Sequence, residues 1–407
     1  MKNSKRLREA TVSAVCALLV AQDGGAEEAS SLAGMITQGA PLLDIRYRLE
    51  NVEQDNELKD ATASTLRTRL GFETAEYHGL AALVEGENIV SVGDDDYNSS
   101  TNNNAEYSVV LDPETTEFNR AYVSYRLRDT LVKVGRQRMK WDNDRFLGNV
   151  GFRQNEQTYD AITLMNTSFD GSRFIYAYMT EAQRFLGDDN SLGDLDMNSH
   201  FINYSYQQLN TNRLTVYAYF LEMKVEELLG RSTKTFGLRY KGDLDMASTK
   251  LLYTLEYANQ SDYAKGASTN DADYALLELG VKFSNEWIAK LGVEMLGGDG
   301  IYGFQTPLAT AHAHNGWADI FAAGTPTDGL VDTYANISAP ILGVKTTITY
   351  HNFASDNDSS DYGTEVDLEV SKKFGEHYEV GLKYASYSAD DLAVDTDKIW
   401  GWFAVSW

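Results

Sequence analysis

Cysteine is almost absent from this sequence. The 407 residues contain one cysteine, Cys16, inside a short apolar stretch near the N-terminus. If that stretch is removed as a leader, the mature chain has no cysteine, which excludes disulfides and thiolate metal sites. The six histidines offer at best one pair, His312 and His314, on one strand face, and two ligands without a third do not make a zinc site. No G-x-S-x-G elbow occurs, so the sequence predicts no metal, no cofactor and no enzymatic activity.

Long apolar runs and positive charge are also missing. No run of about 18 apolar residues occurs, which argues against a membrane-spanning helix. The chain has 35 Lys and Arg against 60 Asp and Glu, a formal net charge of −25 that disfavours nucleic-acid partners. Much of the acidic excess sits in runs at 93–96, 188–190, 356–358 and 390–391, between predicted strands. We interpret these runs as solvated turns, and divalent-cation bridging to lipopolysaccharide stays open as the alternative.

The N-terminus has the three parts of an export signal. Basic residues at 2, 5, 6 and 8 precede an apolar stretch at 11–21, and small residues follow at 24–26. This order predicts a signal peptide over residues 1–26, followed by a single domain over residues 27–407.

Most of the remaining chain alternates between apolar and polar residues with period two. Leu277, Leu279 and Val281, for example, oppose Glu278 and Lys282. The final segment, 399–407, alternates in the same way and ends on an aromatic residue, as the closing strand of a barrel does. Spacing over residues 41–407 gives about 18 strands. The sequence therefore predicts an all-β, antiparallel transmembrane β-barrel, and a soluble β-sandwich is the alternative for any one segment.

Two stretches interrupt the alternation. Residues 140–158 and 301–329 are too long for turns, yet both contain aromatic residues, which argues against disorder. We expect both to fold into the lumen and narrow it, with packing over the extracellular rim as the alternative.

Charges on the predicted lumen faces are segregated along the chain. The first half supplies the basic candidates for the pore lining: Arg46, Arg48, Arg67, Arg69, Arg120, Arg126, Arg173 and Arg239. The second half supplies the acidic candidates: Glu256, Glu278, Glu294, Glu365, Asp367 and Glu369. Because the halves of a barrel face each other, this arrangement suggests a transverse field that orients polar solutes. The alternative is that the charges pair along the wall.

Several short motifs resemble the alginate-export-type porins of Gram-negative outer membranes. They are VKVGRQ at 132–137, NVGFRQ at 149–154, QTYDA at 157–161, FQTPLA at 304–309 and NGWAD at 315–319. The resemblance implies an 18-stranded barrel and, from the founding member, an arginine-lined path for an anionic uronate polymer. It also implies constriction-loop candidates, which are Arg136, Arg153, Phe152, Gln305, Trp317 and Asp319. Arg136 shares its strand phase with Val132 and Val134, so it faces lipid unless a bulge intervenes.

These features together predict a passive porin in the outer membrane of a Gram-negative bacterium. Its solutes would be small and hydrophilic, anionic or saccharide, and its other partners would be outer-membrane lipid and lipopolysaccharide. The alternative is a structural or adhesion barrel whose loops block the lumen and prevent transport. The oligomeric state stays open.

Overall fold

The computed structural model describes residues 29–93, 95–208 and 212–407. The predicted signal peptide, 1–26, lies outside the described residues. None of the helices in the described part is long and apolar enough to cross a membrane.

Eighteen strands make up nearly all of the regular structure. In chain order they are β1 (Ala40–Gln54), β2 (Ala61–Glu73), β3 (Leu80–Ser91), β4 (Thr115–Leu127), β5 (Thr130–Gln137), β6 (Thr158–Asn166), β7 (Ser172–Gln183), β8 (Asp194–Gln208), β9 (Asn212–Leu221), β10 (Thr233–Met246), β11 (Thr249–Asp262), β12 (Asp271–Phe283), β13 (Ile288–Leu296), β14 (Leu330–Ile341), β15 (Val344–Ala354), β16 (Asp361–Phe374), β17 (Tyr378–Ala389) and β18 (Thr396–Ser406). A short helix, α1 (Leu32–Thr37), precedes β1, and two 3-10 turns lie at Glu226–Arg231 and Ala311–Ala313.

The sheet is a closed ring in which every strand pairs antiparallel with its neighbours in sequence. β1 pairs with both β2 and β18, and Arg48 lies opposite Thr65 on one side and Trp402 on the other. Leu43 and Trp407 exchange backbone hydrogen bonds of 3.1 and 2.9 Å at the seam. The predicted antiparallel barrel of 18 strands is confirmed, and the two-sheet alternative is wrong.

The connections differ sharply between the two ends of the ring. At one end the turns are as short as 128–129, 247–248 and 342–343. At the other end three connections, 92–114, 138–157 and 297–329, are long enough to reach across the lumen. Short periplasmic turns and longer extracellular loops are the usual pattern of outer-membrane barrels.

The outer face of the ring is apolar. Leu255, Leu279, Ile348 and Leu382 are 48%, 48%, 50% and 56% exposed, and each alternates with an inward polar residue. A soluble fold would bury such residues, whereas a membrane barrel places them against hydrocarbon.

The inner face is not uniformly polar, which corrects the prediction that alternation places only polar residues on the lumen face. On β7, β8 and β9, the inward residues Ile175, Met179, Phe201 and Tyr217 are buried in one apolar cluster. The cluster also contains Trp141 and other residues of connection 138–157. Burial of each large apolar side chain contributes roughly 1.5–3 kcal/mol, so this wall anchors the connection inside the barrel.

Candidate solute pathway and its constriction

Connection 138–157, here called the first lumen loop, folds inward and is held by β1. Arg46 donates from Nε to the Gln154 side chain at 2.9 Å and from Nη1 to the Gly151 carbonyl at 3.1 Å. Arg48 donates to the carbonyl of Phe152. Backbone carbonyls in this loop lack strand partners, so guanidinium donors from the wall satisfy them.

Connection 297–329, the second lumen loop, folds inward against β13 and β16. The Ala318 N–H donates to Glu365 of β16 at 2.7 Å, and Asn315 donates to Glu294 of β13 at 2.7 Å. Gly316 lies between these contacts with φ of +84°, and the Glu365 carboxylate occupies the space that a Cβ would need. The loop is therefore shaped to fit this carboxylate. Both loops fold into the lumen, as predicted.

The two lumen loops contact each other inside the barrel, next to β1 and β17. Arg153 of the first loop is 3.1 Å from Glu50 of β1 and 3.0 Å from Asp319 of the second loop. The Phe152 and His312 rings stack with centroids 3.7 Å apart. We call the set Phe152, Arg153, His312, Trp317, Asp319 and Lys383 the constriction.

A lysine from the wall completes the constriction. Lys383 of β17 has its ammonium 4.4 Å from the Phe152 ring centroid and 4.1 Å from that of Trp317. Its Nζ is also 3.2 Å from His312 Nε2 and 3.5 Å from Glu369. A cation held between aromatic faces is favoured electrostatically, more so where water is scarce.

His312 is neutral in this arrangement. Burial, together with the nearby Lys383 and Arg153 cations, lowers the pKa of His312 to about 3, against the opposing effect of Asp319. Neutral His312 can donate from Nδ1 to Asp319, 2.8 Å away, while Nε2 accepts from Lys383. Burial would raise the pKa of Asp319, but His312, Lys398 and Arg153 together hold it well below its usual range. Asp319 is thus anionic and ties both loops to the wall.

Charges elsewhere on the lumen wall are mostly paired with close neighbours. Arg69 contacts Glu87 of β3 and lies 3.3 Å from Glu156 of the first lumen loop. Arg67 contacts Asp44, and Arg48 is 2.9 Å from Glu50. The basic wall is therefore interleaved with carboxylates, which favours pairing along the wall over an unscreened transverse field.

The structure places the predicted basic residues as follows. Arg46, Arg48, Arg67, Arg69 and Arg239 lie on the lumen face and are mostly buried beneath the loops. Arg120 pairs with Glu85 at 2.6 Å, and Arg239 pairs with Glu256. Arg126 lies at the short-turn end, half-exposed and 3.4 Å from Glu76. Arg173 lines a small cavity at that same end, so these last two are remote from the constriction.

The predicted acidic residues all lie on inward positions of β11 to β16. Glu256 is paired with Arg239, Glu278 with Lys290 at 3.0 Å, and Glu294 with Arg145 at 3.2 Å. Glu365 and Asp367 are fully buried beside the second lumen loop. Glu369 lies below them, next to Lys383.

Two constriction-loop candidates are not at the constriction. Arg136 lies on β5 in phase with Val134, which is 50% exposed on the outer face. It pairs with Asp160 of β6 at 2.9 Å, so the placement of Arg136 in a constriction loop is wrong because strand phase turns it outward. Gln305 lies on the second lumen loop nearer its outer side, where it donates to the carbonyls of Gly303 and Thr325. Phe152, Arg153, Trp317 and Asp319 do come together.

Sequence reasoning missed several residues of this site. Alternation placed Lys383 on the lumen face, as it did one residue in two of every strand. Nothing in the sequence indicated that its ammonium group would lie against two aromatic rings. Glu85 and Glu87 showed a clearer signal, since they alternate with Val84 and Gly86 on β3. Arg138, Arg145 and Asp112 sit in connections without any period, so only the folded chain reveals their partners.

Two cavities border the second lumen loop. The outer cavity, about 610 Å³, is formed by loops at the long-loop end, including residues 301–305 and 320–327. The inner cavity, about 370 Å³, lies between residues 313–317 of the second lumen loop and the walls of β10 to β15. The second lumen loop therefore contributes to the lining of both cavities.

Comparison with known proteins agrees with this architecture. The model of the alginate export family matches residues 43–305, more than half of the chain. No curated relative matches the chain by sequence.

Among solved structures, the chain is similar to OccAB4 of Acinetobacter baumannii, with a TM-score of 0.71 at 14% identity, covering 91% of this chain and 98% of that one. OccK9 (OpdG) of Pseudomonas aeruginosa gives a TM-score of 0.72 at 11% identity, covering 92% and 100%. The structure of OpdK of Pseudomonas aeruginosa with vanillate gives a TM-score of 0.69 at 14% identity, covering 92% of this chain and 100% of that one. At identities this low, the similarity to these solved structures shows a shared fold and nothing more. The chain belongs to the alginate export family and is a porin of a Gram-negative outer membrane.

Proposed function

We propose that the protein conducts small hydrophilic solutes, anionic or saccharide, passively from the outer cavity past the constriction to the inner cavity. The observation that carries the choice of solute is the inner cavity. Lys241, on its wall, forms no ion pair with any described residue, and Lys290 and Arg239 lie on the same wall. An anionic or hydroxylated solute would find a free cation there among hydrogen-bonding groups.

The remaining lining of the inner cavity suits a hydrated, hydrogen-bonding guest. Tyr334, Asn336, Thr254 and Thr349 supply hydroxyl and amide groups. A volume near 370 Å³ is at the lower end of small-molecule pockets. A polymer is disfavoured, because side-chain ties between the lumen loops cross the path. OpdK, a structural neighbour, was crystallised with the small carboxylate vanillate.

The site residues have proposed roles along this path. Arg153 and Asp319 tie the loops together, Phe152 and Trp317 flank Lys383, and the wall arginines hold the first lumen loop inward. Outside the barrel, we propose that the apolar face contacts outer-membrane lipid and that the long-loop end contacts lipopolysaccharide.

Conductance and solute flux test the proposal. Purified protein in planar bilayers should give stepwise current increments. Liposomes that contain it should swell faster with small uronates and monosaccharides than with oligomers of the same sugars. Absence of both increments and swelling would overturn the proposal and favour the structural or adhesion barrel, whose lumen stays blocked.

A further inference from the structure

The outer cavity is built by loops from widely separated parts of the ring. Gly230 and Arg231 come from the β9–β10 loop, Asn270 comes from the β11–β12 loop, and Leu392 and Ala393 come from the β17–β18 loop. The second lumen loop forms its floor. The cavity therefore lies at the long-loop end of the barrel, where a solute enters if that end faces outward.

Apolar side chains dominate the cavity surface. They are Ile301, Ile320, Phe321, Leu392 and Ala393. Ile301 is 66% exposed at the lip, whereas Phe321 is buried in the floor. A water-filled porin mouth does not require an apolar surface. Contiguous exposed apolar patches usually mark binding sites, so this surface indicates that the cavity binds a ligand.

Polar groups around the cavity are largely occupied by the loops themselves. Asn270 donates to the Gly230 carbonyl at 2.8 Å. Gln305 donates to the carbonyls of Gly303 and Thr325, and the Tyr302 hydroxyl donates to Gln260. These donors therefore hold the loops together and are not free for a guest, which leaves apolar contact as the main attraction.

A charged side chain also lies on the cavity wall. Arg231 lines the cavity and, among the residues that the structure describes, has no ion-pair partner. Arg184, from the β7–β8 loop, is also without an ion-pair partner there, and its buried Nε lacks a hydrogen bond. Arg231 adds to burial in lowering the pKa of Arg184, so the two guanidinium groups repel each other. An anion bound in the cavity beside Arg231 would weaken that repulsion.

We propose that the outer cavity is a binding site for small amphiphilic monoanions, with an aromatic or short aliphatic body on the apolar floor and a carboxylate toward Arg231. The inference deepens the proposed function and rests on it, because the cavity lies at the mouth of the same pathway. Among the anionic solutes of the proposed function, it predicts a preference at the mouth for acids with an apolar part, which a purely sugar-like guest lacks.

Binding to the detergent-solubilised protein, measured by calorimetry or ligand-observed NMR, tests the site. The probes are benzoate, acetate and benzyl alcohol, which separate the apolar body from the charge. Benzoate should bind about tenfold more tightly than acetate, since burying a ring removes much apolar area from water. It should also bind more tightly than benzyl alcohol. Equal affinity for benzoate and acetate, or for benzoate and benzyl alcohol, would overturn the inference.

Two variants assign the contributions to residues. Arg231→Gln should weaken benzoate binding about fivefold and leave benzyl alcohol unchanged, as expected for a partly exposed ion pair. Ile301→Ser should weaken both ring compounds but not acetate. Arg128→Gln, which removes an exposed arginine in the β4–β5 turn at the other end of the barrel, is the matched control.

The two proposals can fail separately. If benzoate does not bind while the protein still conducts ions in bilayers, the cavity assignment is wrong and the porin proposal stands. If benzoate binds with the expected Arg231 dependence but no current flows, the cavity assignment stands and conduction is wrong.

Discussion

At the scale of single residues, His312 has an unusual position. Its ring is stacked on Phe152, and its two nitrogens are tied to Asp319 and Lys383. The contact with Lys383 requires the neutral imidazole, because a second ring proton at Nε2 would face the Lys383 ammonium. The lowered pKa near 3 reflects this environment. His312 therefore links the protonation state of one ring to the closure of both lumen loops.

Acidification should loosen the constriction. In an open state a solvated His312 would titrate near its ordinary value of about 6.5, whereas in the closed state its pKa is about 3. Closure is therefore fully stabilised above about pH 6.5, and it weakens as the pH falls toward the lower pKa, because the open state then binds a proton that the closed state does not. Single-channel conductance in planar bilayers should rise between pH 6 and pH 4.

His312→Gln should flatten this pH profile, because an amide keeps a donor and an acceptor but does not titrate in that range. His78→Gln, at an exposed turn of the opposite end, serves as the control. A profile in His312→Gln identical to that of the unchanged protein would show that another group titrates.

Residue orientation was predictable from the sequence only where a strand sets it. Arg46, Arg48, Arg67 and Arg69 were assigned to the lumen by alternation, and the structure places them there. Arg136 was assigned to a constriction loop from a motif, although its alternation with Val132 and Val134 predicted that it faces lipid. The structure agrees with the alternation. The partners of these arginines were not predictable, because they come from strands and loops far apart in sequence.

At the scale of elements, the second lumen loop depends on one glycine. Gly316 has φ of +84°, which disfavours any other residue, and Glu365 fills its Cβ position. Gly316→Ala should therefore push residues 315–318 off the wall, at a cost of about 1–3 kcal/mol to loop closure. We expect a larger single-channel conductance and faster proteolysis within the loop.

Gly86→Ala on β3 is the matched control, since the nearest atom to its Cβ position is 3.8 Å away and its φ is ordinary. An unchanged conductance in Gly316→Ala would contradict the role given to this glycine.

Strands and lumen loops differ in what their sequences disclose. Period-two alternation predicted the strands and their number, because the lipid face of every strand must be apolar. On β7 to β9 the inner face carries a large apolar cluster, since it supports the first lumen loop, and no local rule anticipates that. The loops were recognised by their length and aromatic content, but the stacking of Phe152 on His312 could not be read from either segment alone.

At the scale of the whole molecule, a net charge of −25 does not translate into a strongly negative lumen. Most lumen charges are neutralised by a neighbour within a few ångströms, so a few unpaired groups should dominate ion selectivity. Lys241 is such a group among the described residues of the inner cavity.

Lys241→Gln should shift the channel toward cations, because it removes a lumen charge that has no local counter-charge. The reversal potential in a salt gradient across a planar bilayer measures this shift. Lys59→Gln removes an exposed loop lysine that is 3.8 Å from Glu106, and it should leave the potential unchanged. Equal reversal potentials in both variants would mean that selectivity arises elsewhere on the path.

The seam between β1 and β18 has a consequence for how copies of the protein can associate. Because all 18 strands have a hydrogen-bonded partner on each side, no backbone is left over to recruit a strand from another molecule. Sheet extension and strand exchange, common routes to fibres and swapped dimers, are therefore closed to the folded barrel. Any assembly of copies in the bilayer must rely on side chains of the outer wall. There, apolar contacts between copies compete with contacts between each copy and lipid.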